Sequence, residues 1–252
     1  MLPANNQSDN PPHVPLSESS VGKAKAFLYA TPAEAVEQLT HKQITIGDRT
    51  FNIAYPGNAD DLLDHPSTHS AFEKDEYMPY WAELWPSSQM LGEVLTQQTW
   101  PANHAALEIG CGVGLAGIVA LSLGMHVTFS DYDETAVAFA ARNAIANNLT
   151  NFSTLPLDWR VPPTQQYPLI LAADVIYEER NIAPLIDFIK AVLTPDGVCL
   201  LSDPDRSTKG GFCYALKRAQ LPFTRQKKKA EGPENRMVTG SVYRISQTIY
   251  SS

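Results

Sequence analysis

Ala105-Ala106-Leu107-Glu108-Ile109-Gly110-Cys111-Gly112-Val113-Gly114, followed by the apolar run Leu115 to Leu123, decides the fold. A short apolar segment entering a glycine-rich turn and leaving as a helix apolar on most sides is a buried strand, a tight turn and a buried helix. The same alternation continues outward. Val127 to Ser130 reads as a second strand ending at Asp131, and Glu134 to Asn148 as a helix with Val137, Ala141, Ala144 and Ile145 on one face. Phe152 to Leu157 is expected as a third strand, ending at Asp158-Trp159, and Leu169 to Ala173 as a fourth, ending at Asp174. Ile182, Leu185, Ile186, Ile189 and Leu193 share a helical face. A Pro195-Asp196-Gly197 turn then leads to a strand at Val198–Leu201, ending near Asp203, and a helix is expected around Gly211–Ala219. Strands alternating with helices predict an α/β fold with a parallel sheet covered on both faces. The last two β-rich stretches, Phe223–Lys229 and Ser241–Tyr250, have no helix between them and should pair as an antiparallel hairpin.

Working toward the N-terminus, Ile44-Thr45-Ile46 and Phe51-Asn52-Ile53-Ala54-Tyr55 alternate around Gly47-Asp48, a β-hairpin signal. Residues 57–76 are polar and acidic and are expected as a loop or flap. Val21 to about Leu39 is weakly helical, which makes 21–75 a helix and β-hairpin extension. Residues 1–20 hold four prolines, no lysine or arginine, and little that is apolar, so they are expected to be a disordered tail.

Composition removes several classes. The chain has 252 residues, 19 basic and 27 acidic, for a formal net charge of −8, which disfavours generic binding to a phosphate backbone. No apolar run approaches the ~18 residues of a membrane span. Cys111, Cys199 and Cys213 are odd in number and widely spaced, forming neither a disulfide framework nor a zinc site, so no metal is expected. The expectation is a soluble cytoplasmic protein, with a monomer as the default.

Asp131, Asp158, Asp174 and Asp203 each follow an apolar strand, where ligands of open α/β sheets bind. Gly110, Gly112 and Gly114 permit close approach of a ligand to the backbone. Asp131, 21 residues after Gly110, is placed to accept hydrogen bonds from ribose hydroxyls. Gly112-x-Gly114-x-x-Gly117 also matches a dinucleotide fingerprint, so an NAD-dependent oxidoreductase is a competing reading. Three features oppose it. Glu108 is badly placed beside a pyrophosphate but suits a cationic amino group, Gly110 is surplus to such a fingerprint, and the final hairpin is foreign to the simple dinucleotide fold. A ligand with ribose, adenine and an ammonium group but no phosphate fits better, namely S-adenosyl-L-methionine.

The segment Glu108 to Gly114 resembles the first motif of the class I, seven-β-strand methyltransferases, which implies a Rossmann-like seven-stranded sheet over residues 76–252. Within that class the chain is similar to the lysine methyltransferase family known as methyltransferase family 16. The matching pieces are Tyr80-Trp81-Ala82-Glu83-Leu84-Trp85-Pro86, the glycine motif, Ser130-Asp131, Leu157-Asp158-Trp159 and Ala172-Ala173-Asp174-Val175-Ile176-Tyr177. The first of these is particularly similar to the branch acting on the β-subunit of electron-transfer flavoprotein. The resemblance implies that Trp85 helps close the cofactor pocket and that Gly110, Cys111 and Gly112 line it. It implies further that Asp131 holds the ribose, that Trp159 with Asp158 meets the adenine, and that Ala173 lies under the methionine portion. It also implies a protein lysine as acceptor. Asp174 is then expected to capture and orient the lysine, Tyr177 to pack along it, and Glu83 to assist at the entrance.

A small-molecule N-methyltransferase on the same scaffold is the alternative within enzymes, since fold does not fix substrate. A cofactor-binding module without catalysis is less consistent with Asp174 and Tyr177. Enzymes methylating the amino groups of adenine or cytosine resemble one another in a motif with two prolines before an aromatic residue. Val175 and Ile176 stand where those prolines would, so no nucleic-acid partner is expected. Arg225, Lys227, Lys228 and Lys229 are expected as a solvated edge that blocks strand pairing.

Overall fold

The computed structural model describes residues 30, 31, 36, 38–57, 59–206 and 208–247. The expected tail, most of the expected helix over 21–39, and Tyr250 lie outside them.

Seven strands form one sheet. They are β3 (Ala105–Ile109), β4 (His126–Ser130), β5 (Phe152–Thr154), β6 (Tyr167–Ala173), β7 (Leu193–Asp203), β8 (Phe223–Glu231) and β9 (Met237–Ser246), in the order β5-β4-β3-β6-β7-β9-β8. The first five are parallel, and β9 is antiparallel to both β7 and β8. This is the expected mostly parallel α/β sheet with a C-terminal antiparallel hairpin. Every residue of β3 after Ala105 is buried, as an inner strand covered on both faces requires. The connection from β3 runs outward one way to β4, while β6 begins the run the other way. The crevice at that reversal, outside the strands' carboxyl ends, is where such sheets bind ligands.

On one face, α3 (Pro86–Thr96), α4 (Leu115–Ser122) and α5 (Glu134–Ala146) bury Leu91, Val94, Ile118, Val119 and Val137 in a single core with β3 and β4. On the other, α6 (Ile182–Val192) and α7 (Lys209–Arg218) bury Leu185, Phe188, Phe212 and Leu216 against Ile170, Leu201 and Tyr243. The predicted N-terminal hairpin is β1 (Leu39–Ile46) and β2 (Arg49–Pro56), longer than the alternation suggested. Its Ile44, Ile46, Phe51 and Ile53 share the core of α3 and α4. A second fastening comes from Asn143 of α5. Its amide accepts the Ala54 N–H at 2.9 Å and donates to the carbonyls of Ala54 and Val113, each at 2.9 Å.

Several expectations are corrected. Residues expected as a loop after β2 form two helices, α1 (Ala59–Asp64) and α2 (Pro66–Asp75). Pro66 starts α2 at a position where its missing N–H costs nothing, and His65 Nδ1 accepts the Ser67 N–H at 3.2 Å. Glu76 closes it in the left-handed conformation with its N–H on Phe72 O at 2.7 Å. Ile145 is exposed; the buried face of α5 runs through Ala136, Val137, Phe139, Ala140, Asn143 and Ala144. β5 stops at Thr154, although the chain stays tied to β4 by Leu155 N–H to Phe129 O (2.9 Å) and Leu157 N–H to Asp131 O (2.8 Å). β7 already starts at Leu193, and the register shift between Tyr167 and Leu169 of β6 absorbs Pro195-Asp196-Gly197 as a bulge.

Candidate active site

The glycine turn leaves β3 with Gly110 at φ +58° and Gly112 at φ +50°, a region that side chains bearing a Cβ rarely adopt. Space is tight for a Cβ as well. One at Gly110 would lie 2.9 Å from Val175 Cγ1, and one at Gly112 3.2 Å from the Trp81 carbonyl. The turn is bonded to the end of β4. The Cys111 N–H reaches Ser130 O at 2.9 Å, and the Gly112 N–H reaches Asp131 Oδ2 at 2.9 Å. Asp131 Oδ1 accepts the Asp133 N–H at 3.1 Å. Despite these bonds, burial pushes the Asp131 carboxyl up to about 6.

Above this turn opens a cavity of about 390 Å³. Its floor is the end of β3, β4 and β6, with Glu108, Gly110, Cys111, Gly112, Asp131 and Ala173 among its lining. Trp159 and Asp158 form one wall, while Trp85, Asp174 and Tyr177 form another. All the cofactor and acceptor positions expected from sequence are therefore brought together except Gly114, which does not line the cavity. Gly114 sits at the start of α4, where a Cβ would meet Ala140 Cβ at 2.7 Å, so its role there is packing. Asp203, the fourth strand-end carboxylate, also lies outside the lining.

Eight carboxylates and two guanidinium groups line the cavity, so it suits a cationic ligand and opposes a pyrophosphate. Glu108 makes this concrete. It is 2% exposed, and its Oε2 has no hydrogen-bond partner. Burial pushes its carboxyl up to about 8, with the Asp131 charge adding to the effect and the Gly117 backbone opposing it. Burial likewise raises the Cys111 thiol far above its ordinary range, so Cys111 is inert as a nucleophile. Among the described residues no group of side chains could hold a metal ion.

Asp158 accepts the Arg160 N–H and Nε, both at 2.9 Å. Arg160 then bridges to Asp75 at the end of α2 through bonds of 2.8 and 2.6 Å, and Tyr132 O–H donates to Asp75 at 2.7 Å. Helix α2, in a stretch expected to be a loop, thus supplies part of the rim through Asp75. Below it, Asp133 accepts from the Thr31 backbone N–H at 3.2 Å, the Thr31 hydroxyl at 2.5 Å and the Tyr77 hydroxyl. Trp81 Nε1–H donates to the Thr31 hydroxyl at 3.2 Å. The roof over the cavity is therefore pinned to the start of α5.

At the mouth, Tyr80 stands edge-on to Tyr177 (centroids 5.3 Å) and to Trp85 (6.4 Å), and the Trp85 indole N–H donates to Tyr80 O at 2.7 Å. Burial raises the Glu83 carboxyl, and the Asp60 charge adds to it. Asp174 is a non-glycine residue at φ +62°, held there by its N–H on Ser202 O at 2.9 Å. Its Oδ2 accepts the Ser87 hydroxyl at 3.1 Å and its Oδ1 is paired with Arg206, whose guanidinium carbon lies 5.8 Å from the Trp85 ring. Ser87, Arg160 and Arg206 carry no expectation from sequence, and Tyr80 entered only as part of the Tyr80–Pro86 piece, with no role of its own. Arg206 alone had a usable signal, because it follows a strand end at Asp203 as Asp131 and Asp174 do.

Residues 71–218 match the family described as lysine methyltransferase, which is more than half of the chain. The chain belongs to the lysine methyltransferase family. It is similar to the electron transfer flavoprotein beta subunit lysine methyltransferase of Danio rerio, at 30% identity over 132 residues, covering 51% of each chain. It is also similar to the protein N-lysine methyltransferase METTL21A of Xenopus tropicalis, at 35% over 106 residues, 40% of this chain and 49% of that one. A histidine protein methyltransferase 1 homolog of Dictyostelium discoideum matches at 27%, over 48% of this chain and 41% of that one. The chain spans about half the length of the curated relatives it matches. Among solved structures it is similar to a SAM-dependent methyltransferase of Methanosarcina mazei, with a TM-score of 0.51 and 14% identity over 66% of this chain and all of that one. Trm5b of Pyrococcus abyssi gives 0.53 at 13%, over 83% of this chain and 57% of that one. At such identities the likeness is one of fold, and it is the Rossmann-like methyltransferase fold.

Among the described residues no helix is long and apolar enough to cross a membrane. The basic run lies on β8, the edge strand, as expected. Lys227 pairs with Asp205, and Lys228 lies 3.7 Å from Glu93.

Proposed function

We propose that this lysine methyltransferase family member binds S-adenosyl-L-methionine and transfers its methyl group to a lysine side chain of a protein. The observation that carries the reading is one cavity in which Glu108 and Asp131 stand ready for a cationic nucleoside while Asp174 and Tyr177 form the adjoining wall. When bound, S-adenosyl-L-methionine would supply a methyl carbon activated by its sulfonium, open to in-line displacement by the acceptor nitrogen with the thioether sulfur as leaving group. The chain's task is positioning and electrostatics, with no nucleophile of its own. Asp131 would hold the ribose hydroxyls, Glu108 the ammonium group, and Trp159 with Asp158 the adenine. Asp174 orients the acceptor amine, and Tyr177 and Tyr80 flank it.

The acceptor must arrive neutral. From a free lysine pKa of about 10.4, neutrality at pH 7 costs about 4–5 kcal/mol, which like-charge repulsion from the sulfonium and desolvation reduce. The same proposal takes the protein as a cytoplasmic monomer, a reading that rests on its composition. NAD and small-molecule acceptors are outcomes of the test. S-adenosylhomocysteine should raise the thermal midpoint and NAD should not, because only a ligand of the folded state stabilises it. A methyl-labelled cofactor incubated with cell lysate should then place label on lysine in protein; label on small molecules alone would overturn the acceptor assignment. Asp174→Ala should keep S-adenosylhomocysteine affinity and lose turnover. Equal loss of both would remove Asp174 from the acceptor side.

A further inference from the structure

A bare carboxylate at Asp174 would work against the reaction, because it stabilises the ammonium form of the amine it orients. We propose that Arg206 is a positioning residue that keeps Asp174 as half of an ion pair, so that Asp174 aligns the acceptor amine without trapping it as ammonium. The inference rests on Asp174 facing the acceptor.

β6 and β7 run in register with Ala173 opposite Ser202, so Asp174 and Asp203 leave neighbouring strands side by side. They are 7% and 0% exposed, and two buried carboxylates need a cation between them. Arg206 is that cation. Its Nη1 pairs with Asp174 Oδ1 and lies 3.7 Å from Asp203 Oδ2, while its backbone N–H donates to Asp203 Oδ1 at 3.2 Å. The guanidinium is spent mainly on Asp174. Asp203 Oδ2 has no hydrogen bond, and burial, then the Asp174 charge, push the Asp203 carboxyl up to about 6. The turn that presents Arg206 is itself fixed. Asp205 adopts φ +59° and is held by the Ser241 hydroxyl at 2.9 Å, by Lys209 at 3.3 Å and by Lys227.

The other charged or titratable groups around Asp174 leave Arg206 as the one that compensates it. Sharing the cavity lining with it are Glu83 from the segment before α3, Glu108 and Asp131 from the sheet, Tyr177, Glu178 and Arg180 from its own loop, and Arg160, which is engaged by Asp75 and Asp158. Arg180 is engaged by Glu76 and Glu178. Ser87 of α3 donates a neutral hydrogen bond and adds no charge.

The test compares wild type, Arg206→Gln, Arg206→Lys and Asp203→Asn, using as substrate the acceptor protein recovered from the labelling experiment. Because kcat reports the protonation of the bound complex, Arg206→Gln should lower kcat at pH 7 by about three- to tenfold and lower KM with it. Its kcat should return toward wild type by about pH 9, with S-adenosylhomocysteine affinity held within about twofold. Arg206→Lys should restore the wild-type pH profile. In the ligand-free chain, carbon-13 titration of carboxyl groups should show the Asp203 midpoint climbing above its wild-type value in Arg206→Gln only. A kcat lost by the same factor at every pH, a raised KM, or an unmoved Asp203 midpoint would overturn the assignment. Should Arg206→Gln not fold, Asp203→Asn supplies the signed counterpart. It leaves Arg206 wholly to Asp174, so the acidic limb of kcat should move to lower pH, and a limb that stays put or moves up overturns it. A wild type that labels nothing sinks the proposed function; a labelling wild type with an unmoved limb sinks only the role of Arg206.

Discussion

With its carboxyl held at about 8 by burial, Glu108 is mostly protonated at pH 7 until a cation arrives beside it. A bound ammonium favours the carboxylate, so binding should expel a proton and affinity should rise with pH up to about 8. Calorimetry of S-adenosylhomocysteine in buffers of different ionisation heat should detect that proton, and Glu108→Gln should abolish its release and weaken binding. Gly117 limits how Glu108 can be altered from below, since a Cβ there would collide with Glu108 Oε2 and lie 2.5 Å from Phe129 Cε1. Gly110→Ala combines φ +58° with a 2.9 Å approach to Val175. It should cost about 1–3 kcal/mol in denaturant unfolding and abolish cofactor binding. At this scale the sequence was informative wherever a residue's role depends on its own strand end, as for Glu108, Asp131 and Asp174. It was silent on Ser87, and near Arg206 it marked only the strand end at Asp203; their contacts with Asp174 cross 87 and 32 residues of chain.

Asn143 of α5 and Asn147, which caps its C-terminus, make the same clasp on β2 at different depths, which separates burial from chemistry. Asn143 bonds both backbone groups of Ala54 in a buried setting, whereas Asn147 bonds those of Asn52 at 2.9 and 2.8 Å where solvent can replace it. Asn143→Ala should lose about 2–3 kcal/mol in urea unfolding, and Asn147→Ala no more than about 1. Asn143 also donates to the Val113 carbonyl in the glycine turn, so only its loss should weaken cofactor binding. Elements with a periodic apolar face were readable in advance, β3 through α6 above all. The two helices α1 and α2 were not. They bury few residues, chiefly Leu62, Thr68 and Ala71, and the cap of α2 is a histidine, outside the usual serine, threonine, aspartate and asparagine set. β5 was overread because Leu155 to Leu157 stay bonded to β4 without continuing the ladder.

The raised carboxyls set how the whole ligand-free molecule responds to pH. Glu108 (about 8), Asp131 (about 6) and Asp203 (about 6) all bind protons more tightly folded than unfolded. Their contribution is complete below the ordinary carboxylate range and is lost as pH rises through the folded values. Asp75 and Asp205 are shifted downward by their cationic partners, so their contribution is lost as pH falls toward and below the ordinary range. On these groups the thermal midpoint should therefore peak near the ordinary carboxylate range, about pH 4, and decline toward about pH 8.5, with Glu108→Gln flattening the upper part of the decline; scanning calorimetry across pH checks both. The roof over the cavity has a different consequence, one of timing. Thr31 and the β1–β2 hairpin leave a ribosome ahead of α5, to which they are fastened across 102 and 89 residues. At about 5–20 residues per second, the hairpin waits several seconds for that helix, and a lone two-stranded sheet is marginal in water. Because α5 itself precedes β5 through β9, this fastening becomes available while only β3 and β4 of the sheet have been made, and the N-terminal hairpin can be secured before the sheet is complete.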